Sequence, residues 1–223
     1  MVRRRVMNHR YIISASLAVI LFASVCYSQE SISDLKARVA QSPHDTGPLL
    51  ALGIAYHNEA VAGNKKSVDE GFACLDTLLA HDPTSAVALA YRGSLWTMRG
   101  RDAWWPFAKL NDVHKGIDEM DKAVDLAPDN VSVRLVRGIN SVHLPSMFKR
   151  LGTAMKDFYY LLNSPAFSHF DANLKSTIYY WSGVAYKQDN QSGKAKEFFR
   201  KAVEAAPNSD TGKDAAQELK GLS

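Results

Sequence analysis

The chain has 223 residues, of which 46% are hydrophobic and 22% charged. That balance excludes a disordered chain, and 13 Gly with 8 Pro exclude a collagen-like or linker-dominated one. Two cysteines exclude a disulfide scaffold and a four-thiolate zinc site.

The formal charge of +4 comes from the N-terminus. Residues 1–28 contain Arg3, Arg4, Arg5 and Arg10 and no acid. Without them, 23 basic residues face 23 acidic ones, so the rest of the chain has no global charge suited to nucleic acid. The same 28 residues read as a signal peptide. A basic segment ends at Arg10, an apolar stretch runs from Tyr11 to Val25, and small residues Cys26 and Ser28 precede Gln29. The rival readings are an uncleaved anchor, for which the run is short, and lipidation at Cys26, which Val25 disfavours. The expectation is a signal at 1–28 and one domain at 29–223, exported to the periplasm or cell envelope. Membrane contact would come only through the signal or a retained anchor. Once the signal is removed, Cys74 is the remaining thiol. It sits in the apolar pattern Phe72-Ala73-Cys74-Leu75 and reads as a small buried residue.

The remainder repeats. A shift of 45 residues places Asp76, Pro83, Arg92 and Gly93 on Asp121, Pro128, Arg137 and Gly138, and a second shift places Gly138 on Gly183. Lys122 to Pro128 and Lys201 to Pro207 share five of seven residues. Small residues at Gly53, Gly93, Gly138 and Gly183 permit close helix approach, and Pro83, Pro128 and Pro207 mark junctions that a helix interior does not tolerate. No stretch shows sustained strand alternation.

These residues resemble the tetratricopeptide repeat family, whose unit is a helix–turn–helix of about 34 residues. Tyr179, Gly183, Tyr186, Ala195, Phe199, Ala202 and Pro207 follow at the family spacing. Earlier units open at Leu49, Leu52, Gly53 and Tyr56, and close at Leu75, Leu78, Pro83 and at Met120, Ala123, Pro128. The third gives Gly138, Ala154, Phe158 and Leu161 without a matching Pro. The resemblance implies an all-α solenoid of about four units, with 211–219 as a capping helix. Its peptide-facing positions fall on Leu50, Ile54, His57; Ala90, Ser94, Thr97; Leu135, Ile139, Val142; and Tyr180, Val184, Lys187. One Lys and no Asn stand there, so clamping of an acidic C-terminal peptide is not implied.

The departures from the repeat bear on function. The Gly-to-Pro interval is 24 in the last unit but 30 in the first and 35 in the second. The extra residues are expected as enlarged turns at 57–69, 98–115 and, in the third unit, 144–152, side by side along one edge. Insertions on one face often carry binding. The second insertion gathers Trp96, Arg99, Arg101, Trp104, Trp105 and Phe107. The third adds His143, Phe148 and Arg150, and His57 begins the first. Trp and Arg are typical interface anchors. Two readings stay open for the Trp residues: contact with a partner, or inward folding to seal the turn. Arg92 and Arg137 precede the core Gly and require partners, with Asp118, Asp121 and Asp102 as candidates.

None of the seven His forms a close metal-ligand pair, and no nucleophile elbow, phosphate loop or dinucleotide fingerprint occurs. The expectation is a non-enzymatic scaffold without cofactor or metal that binds an envelope protein. The alternative is a solute-binding accessory subunit holding a small amphipathic or acidic ligand between the enlarged turns. Self-association is a further expectation left open.

Overall fold

The computed structural model describes residues 30–102 and 104–222, so the expected signal lies outside the described residues. Within Ser31–Ser223, ten helices and two short 3-10 turns follow in order, and the described residues contain no strand. They are α1 (Ile32–Gln41), α2 (Thr46–Val61), α3 (Ser67–His81), α4 (Ala86–Asp102), α5 (Pro106–Leu126), α6 (Val131–His143), α7 (Leu151–Leu162), α8 (Ala172–Gln188), α9 (Ser192–Ala205) and α10 (Asp210–Gly221). Helices α2 to α9 form four antiparallel pairs. First helices α2, α4, α6 and α8 pack in sequence as an inner layer, and α10 closes the end against α8 and α9. Helix α1, which no repeat position marks, packs on α2.

Local chemistry sets the starts. Asp45, Asn130, Asp171 and Ser209 each accept a backbone N–H from the first turn of α2, α6, α8 and α10. Helical spacing then turns one apolar face inward, as with Phe72, Leu75, Leu78 and Leu79 on α3 and Ala195, Phe199 and Ala202 on α9. Four hydrophobic clusters follow one another along the stack, so each pair buries its face on its neighbours.

The second pair corrects the expected enlarged turn. Met98 to Asp102 and Pro106 to Lys115 are helical, and the connection is three residues. The added residues lengthen α4 and α5 to 17 and 21 residues and make a projecting hairpin. It stays closed because the two backbones touch. A Cβ on Gly116 would lie 2.4 Å from the Gly93 carbonyl oxygen, and one on Gly100 would lie 2.8 Å from Val113 Cγ2. The first connection, expected over 57–69, is likewise cut to 62–66, because His57 to Val61 belong to α2 and Ser67 to Asp69 to α3; the third does enlarge, over 144–150, with a 3-10 turn at Ser146–Phe148 ending on Lys149 at φ 53°. This third connection leans on α5, where Phe148 meets His114 edge-on at 5.5 Å.

Ion pairs link successive units. The Arg92 guanidinium binds Asp76 at 2.8 Å and Glu119 at 2.7 Å. Arg137 binds Asp121 at 3.1 Å and the fully buried Asp157 at 2.7 Å. Of the expected acids only Asp121 is used; Asp118 stays exposed and Asp102 pairs with Arg101 instead. Arg134 also holds Asp157, at 2.9 Å, and Arg150 holds Asp121, at 2.6 Å.

Two outcomes follow. Gly116→Ala should lower stability by about 2 kcal/mol or more, because neither touching backbone can yield; a urea unfolding midpoint unchanged from the parent would refute the contact. Asp157→Ala, which takes the buried carboxylate from Arg137 and leaves Arg134 without one, should cost about 3–5 kcal/mol. Asp76→Ala, at a partner whose side chain is 58% exposed, should cost no more than about 1 kcal/mol. Equal effects of the two aspartate changes would reject the burial argument.

Candidate functional site

The ten residues singled out by sequence divide into two groups. Most are engaged within the protein. His57 is buried between α2 and α4, with Nε2 at 2.8 Å from Ser94 Oγ and Tyr91 edge-on at 4.9 Å. Trp96 faces inward on Phe72 at 5.0 Å, and the Arg99 guanidinium stacks 3.8 Å from its ring centre. Arg99 is tied in turn to buried Asp112 at 3.0 Å. Arg150 is spent on Asp121 and its side chain is 14% exposed. His143 lies edge-on to Trp181 of α8, so it and His57 have separate neighbours. Phe148 is half-buried against His114.

The end of the α4–α5 hairpin is the opposite case. Trp104 is 88% exposed, Trp105 52% and Phe107 74%. Their rings touch one another, Trp104 to Trp105 at 5.6 Å and Trp105 to Phe107 at 6.4 Å. The two open readings of the Trp residues therefore separate by residue: Trp96 seals the hairpin, while Trp104 and Trp105 face solvent. Arg101 sits below them, paired with Asp102 at 2.9 Å. Its hydrogen bonds hold the Asp102 carboxyl below the usual range, with smaller help from Lys65 and Lys109. Lys65, from the 62–66 connection, thus shares this end of the stack.

The inner face, where the family pattern places a peptide groove, is buried at five of the twelve positions, while Leu50, Ile54, Leu135, Ile139, Tyr180 and Val184 are half-buried and Lys187 is exposed. Ala90, Ser94, Thr97, His57 and Val142 are all buried. A polar chain stitches the helices there: Asn140 Nδ2 donates to Ser94 Oγ at 2.8 Å, and Thr97 Oγ1 donates to Asn140 Oδ1 at 2.6 Å. Lys187, the one cation of that set, is paired with Glu218 of α10 at 2.5 Å.

A cleft of about 340 Å³ opens elsewhere, over α8 between α7 and α9. Phe158, Tyr159, Phe167, Tyr179, Tyr186 and Phe198 line it, and none of its lining residues belongs to the enlarged connections. Sequence reading missed it. Its only signal is the aromatic density of 158–198, of which the repeat pattern uses Phe158, Tyr179 and Tyr186 and leaves Tyr159, Phe167 and Phe198 without a position. Among the described residues no three His, Cys, Asp or Glu are grouped to hold a metal ion, and no helix is long and apolar enough to cross a membrane. Cys74 is half-buried, and desolvation pushes its thiol pKa up, away from thiolate chemistry.

Burial also lowers the pKa of His57, more than its contact with Asn58 raises it. The unfolded chain then binds the extra proton more readily than the folded one. Stability from this group is present above about pH 6.5 and is lost as pH falls toward the lower folded value. A His57→Gln variant should flatten the pH dependence of unfolding over that interval; an identical slope in both proteins would exclude His57 as the source.

No curated protein matches the sequence. A tetratricopeptide repeat family profile matches residues 176–209, which span most of α8 and all of α9. Among solved structures, the chain is similar to TTC0263, a thermophilic TPR protein of Thermus thermophilus, at TM-score 0.67 and 14% identity over 86% of this chain and 88% of that one. It also matches the crystal structure of MamA, at TM-score 0.48 and 20% identity over 78% and 85% of the two chains. One repeat of that family is thus matched in sequence, over residues 176–209, and the helix-pair stack around it has the fold of a solved tetratricopeptide repeat protein.

Proposed function

We propose that the protein is a non-enzymatic scaffold, exported to the periplasm or cell envelope, that docks an envelope protein on the end of the α4–α5 hairpin. One observation carries the reading. Trp104, Trp105 and Phe107 form an exposed aromatic cluster on a closed helical hairpin, while Trp96, Arg99, Arg150 and His57 are held by internal partners. Large rigid rings bury much area at small entropic cost, which is why such residues dominate interface energetics. Arg101, with its side chain 60% exposed, precedes the cluster at the end of α4, and Phe148 lies on α5 at His114. Burial of His57, Ala90, Ser94 and Thr97 supports the same assignment, since it withdraws four of the six groove positions of the first two units from contact with a peptide. Export rests on the basic and apolar run before Gln29.

The test is capture from envelope extracts with the parent chain and a Trp104→Ala/Trp105→Ala variant. The variant should keep its helical circular dichroism and unfolding midpoint, since both rings are exposed, and should lose the partner by about 30-fold or more in affinity. A partner retained by the variant, or a variant that melts, defeats the assignment. The mass of the recovered chain reads the signal at the same time, because a removed signal leaves Gln29 first.

A further inference from the structure

The hairpin tip belongs to a longer edge. The first helices run parallel in the inner layer, so the connections inside the first three pairs lie at one end of the stack. The electrostatics agree: Lys65 of the first connection acts on Asp102 at the second, and Arg101 adds to the burial that lowers the pKa of His143 at the third. Each connection exposes apolar side chains: Val61 at the first, Trp104, Trp105, Phe107 and Leu110 at the second, and Met147 on the third. We infer that this edge seats on an anionic lipid bilayer, with the hairpin tip entering the interface and the flanking lysines meeting the headgroups.

Three observations favour a bilayer as the occupant. The first is charge. Residues 62–66, 101–110 and 144–150 carry Lys65, Lys66, Arg101, Lys109, Lys149 and Arg150 against Asp102 alone. Arg101 pairs with Asp102 and Arg150 with Asp121, which leaves four exposed lysines in excess. Glu59, Asp69, Glu70 and Asp112 stand further back on the helices, where Glu59 accepts from Asn64 and Asp112 holds Arg99. Residues 29–223 balance 23 basic against 23 acidic groups, so the positive charge is concentrated on this edge rather than spread over the surface. The second is order. At the tip the rings are outermost, and Arg101 and Lys109 follow within about one helical turn. An arm entering a bilayer needs that order, with Trp and Phe at the acyl boundary and the cations at the headgroups. The third is reach. A Gly-to-Pro interval of 35 against 24 carries the tip about 8 Å beyond the turn of the last unit, at about 1.5 Å of rise per residue. Interfacial helices bury their apolar faces about 5–10 Å deep.

Charge and apolar area act together in this contact. A lysine close to an anionic surface strengthens binding about fivefold, and the rings anchor what the charges collect. The sequence expectation limits membrane contact to the N-terminal segment; the edge adds a second contact at the far side of the folded domain's first three pairs. This inference rests on the reading of the hairpin end as a docking surface and deepens it, since the envelope protein that the tip docks is then one met at a bilayer surface.

The experiment uses the full-length chain on vesicles and reads the depth of the tip rather than attachment, so the common N-terminal segment affects all samples alike. Quenching of Trp emission by a brominated phospholipid is measured in phosphatidylcholine vesicles with and without phosphatidylglycerol. The samples are the parent, Trp104→Phe/Trp105→Phe and Lys65→Gln/Lys66→Gln/Lys109→Gln. The Phe variant keeps the apolar tip and leaves Trp96 and Trp181 as background. The lysine variant changes exposed positions only, and its fold is checked by helical circular dichroism. The parent should be quenched well above the Phe variant on the anionic vesicles. Losing three lysines should weaken seating about 100-fold and bring quenching down to that background, as should phosphatidylcholine alone. Quenching of the parent no greater than that of the Phe variant overturns the inference, and so does quenching that ignores both the anionic lipid and the lysines. Capture from detergent-solubilised extracts separates the two readings, because no bilayer is present there. A partner captured by a chain whose tip is not quenched on vesicles sinks the lipid contact and leaves the scaffold reading standing; quenching with no partner captured does the reverse.

Discussion

Asp157 has no contact with solvent and is held by two guanidinium groups, Arg134 and Arg137. Arg137 then reaches back to Asp121, which a third arginine, Arg150, grips from the connection before α7. A repeat stack is held chiefly by apolar faces, which pack in several registers with small differences in energy. An ion network of this kind adds direction. Removing one member strands a buried charge, so the helices of the second and third pairs have one relative placement rather than a range. The equivalent link of the preceding junction, Arg92 between Asp76 and Glu119, repeats the arrangement 45 residues earlier. The outer pairs dispense with it: buried Leu52 and Ser182 occupy the position before the core glycine. The middle of the stack, which carries the projecting hairpin, is thus the part whose geometry is most specified.

That specification divides the surface by role. The inner layer is spent on itself, with His57, Ser94, Thr97 and Asn140 tying α2, α4 and α6 together through hydrogen bonds. Polar groups so enclosed are costly unless satisfied, and here each has a partner. What remains available for recognition lies at the hairpin end and on the outer side of the last pairs. Both are aromatic, and neither corresponds to the peptide groove that the family resemblance implies.

The sequence made the architecture legible because glycine and proline have few structural meanings. Gly53, Gly93, Gly138 and Gly183 are buried on first helices, and Pro83, Pro128 and Pro207 lie in the links between pairs. Arg92 and Arg137 were legible as paired residues, but most of their partners were not, since Glu119 and Asp157 are ordinary acids until the helices are in register. The hairpin was misread as a loop for a related reason. Extra length alone does not say whether a turn widens or two helices grow. Gly100 and Gly116 decide it, by letting α4 and α5 touch far beyond the regular unit. The polar link across the inner layer depends on Asn140, a position with no meaning in the repeat pattern. The cleft was hidden because Tyr159, Phe167 and Phe198 hold no position in the repeat pattern, and only the packing of α7, α8 and α9 brings them beside Tyr179 and Tyr186.

The close backbone contact between α4 and α5 has a consequence for recognition itself. A loop of similar length would sample many shapes, and ordering it would consume part of the energy of every contact it made. Two helices pressed together through glycines have already lost that freedom during folding. The rings at their end are carried as on a rigid arm, with reach and direction set in advance. Whatever surface meets them encounters an arm already in place, so the cost of ordering the hairpin was met when the chain folded and does not recur at each encounter.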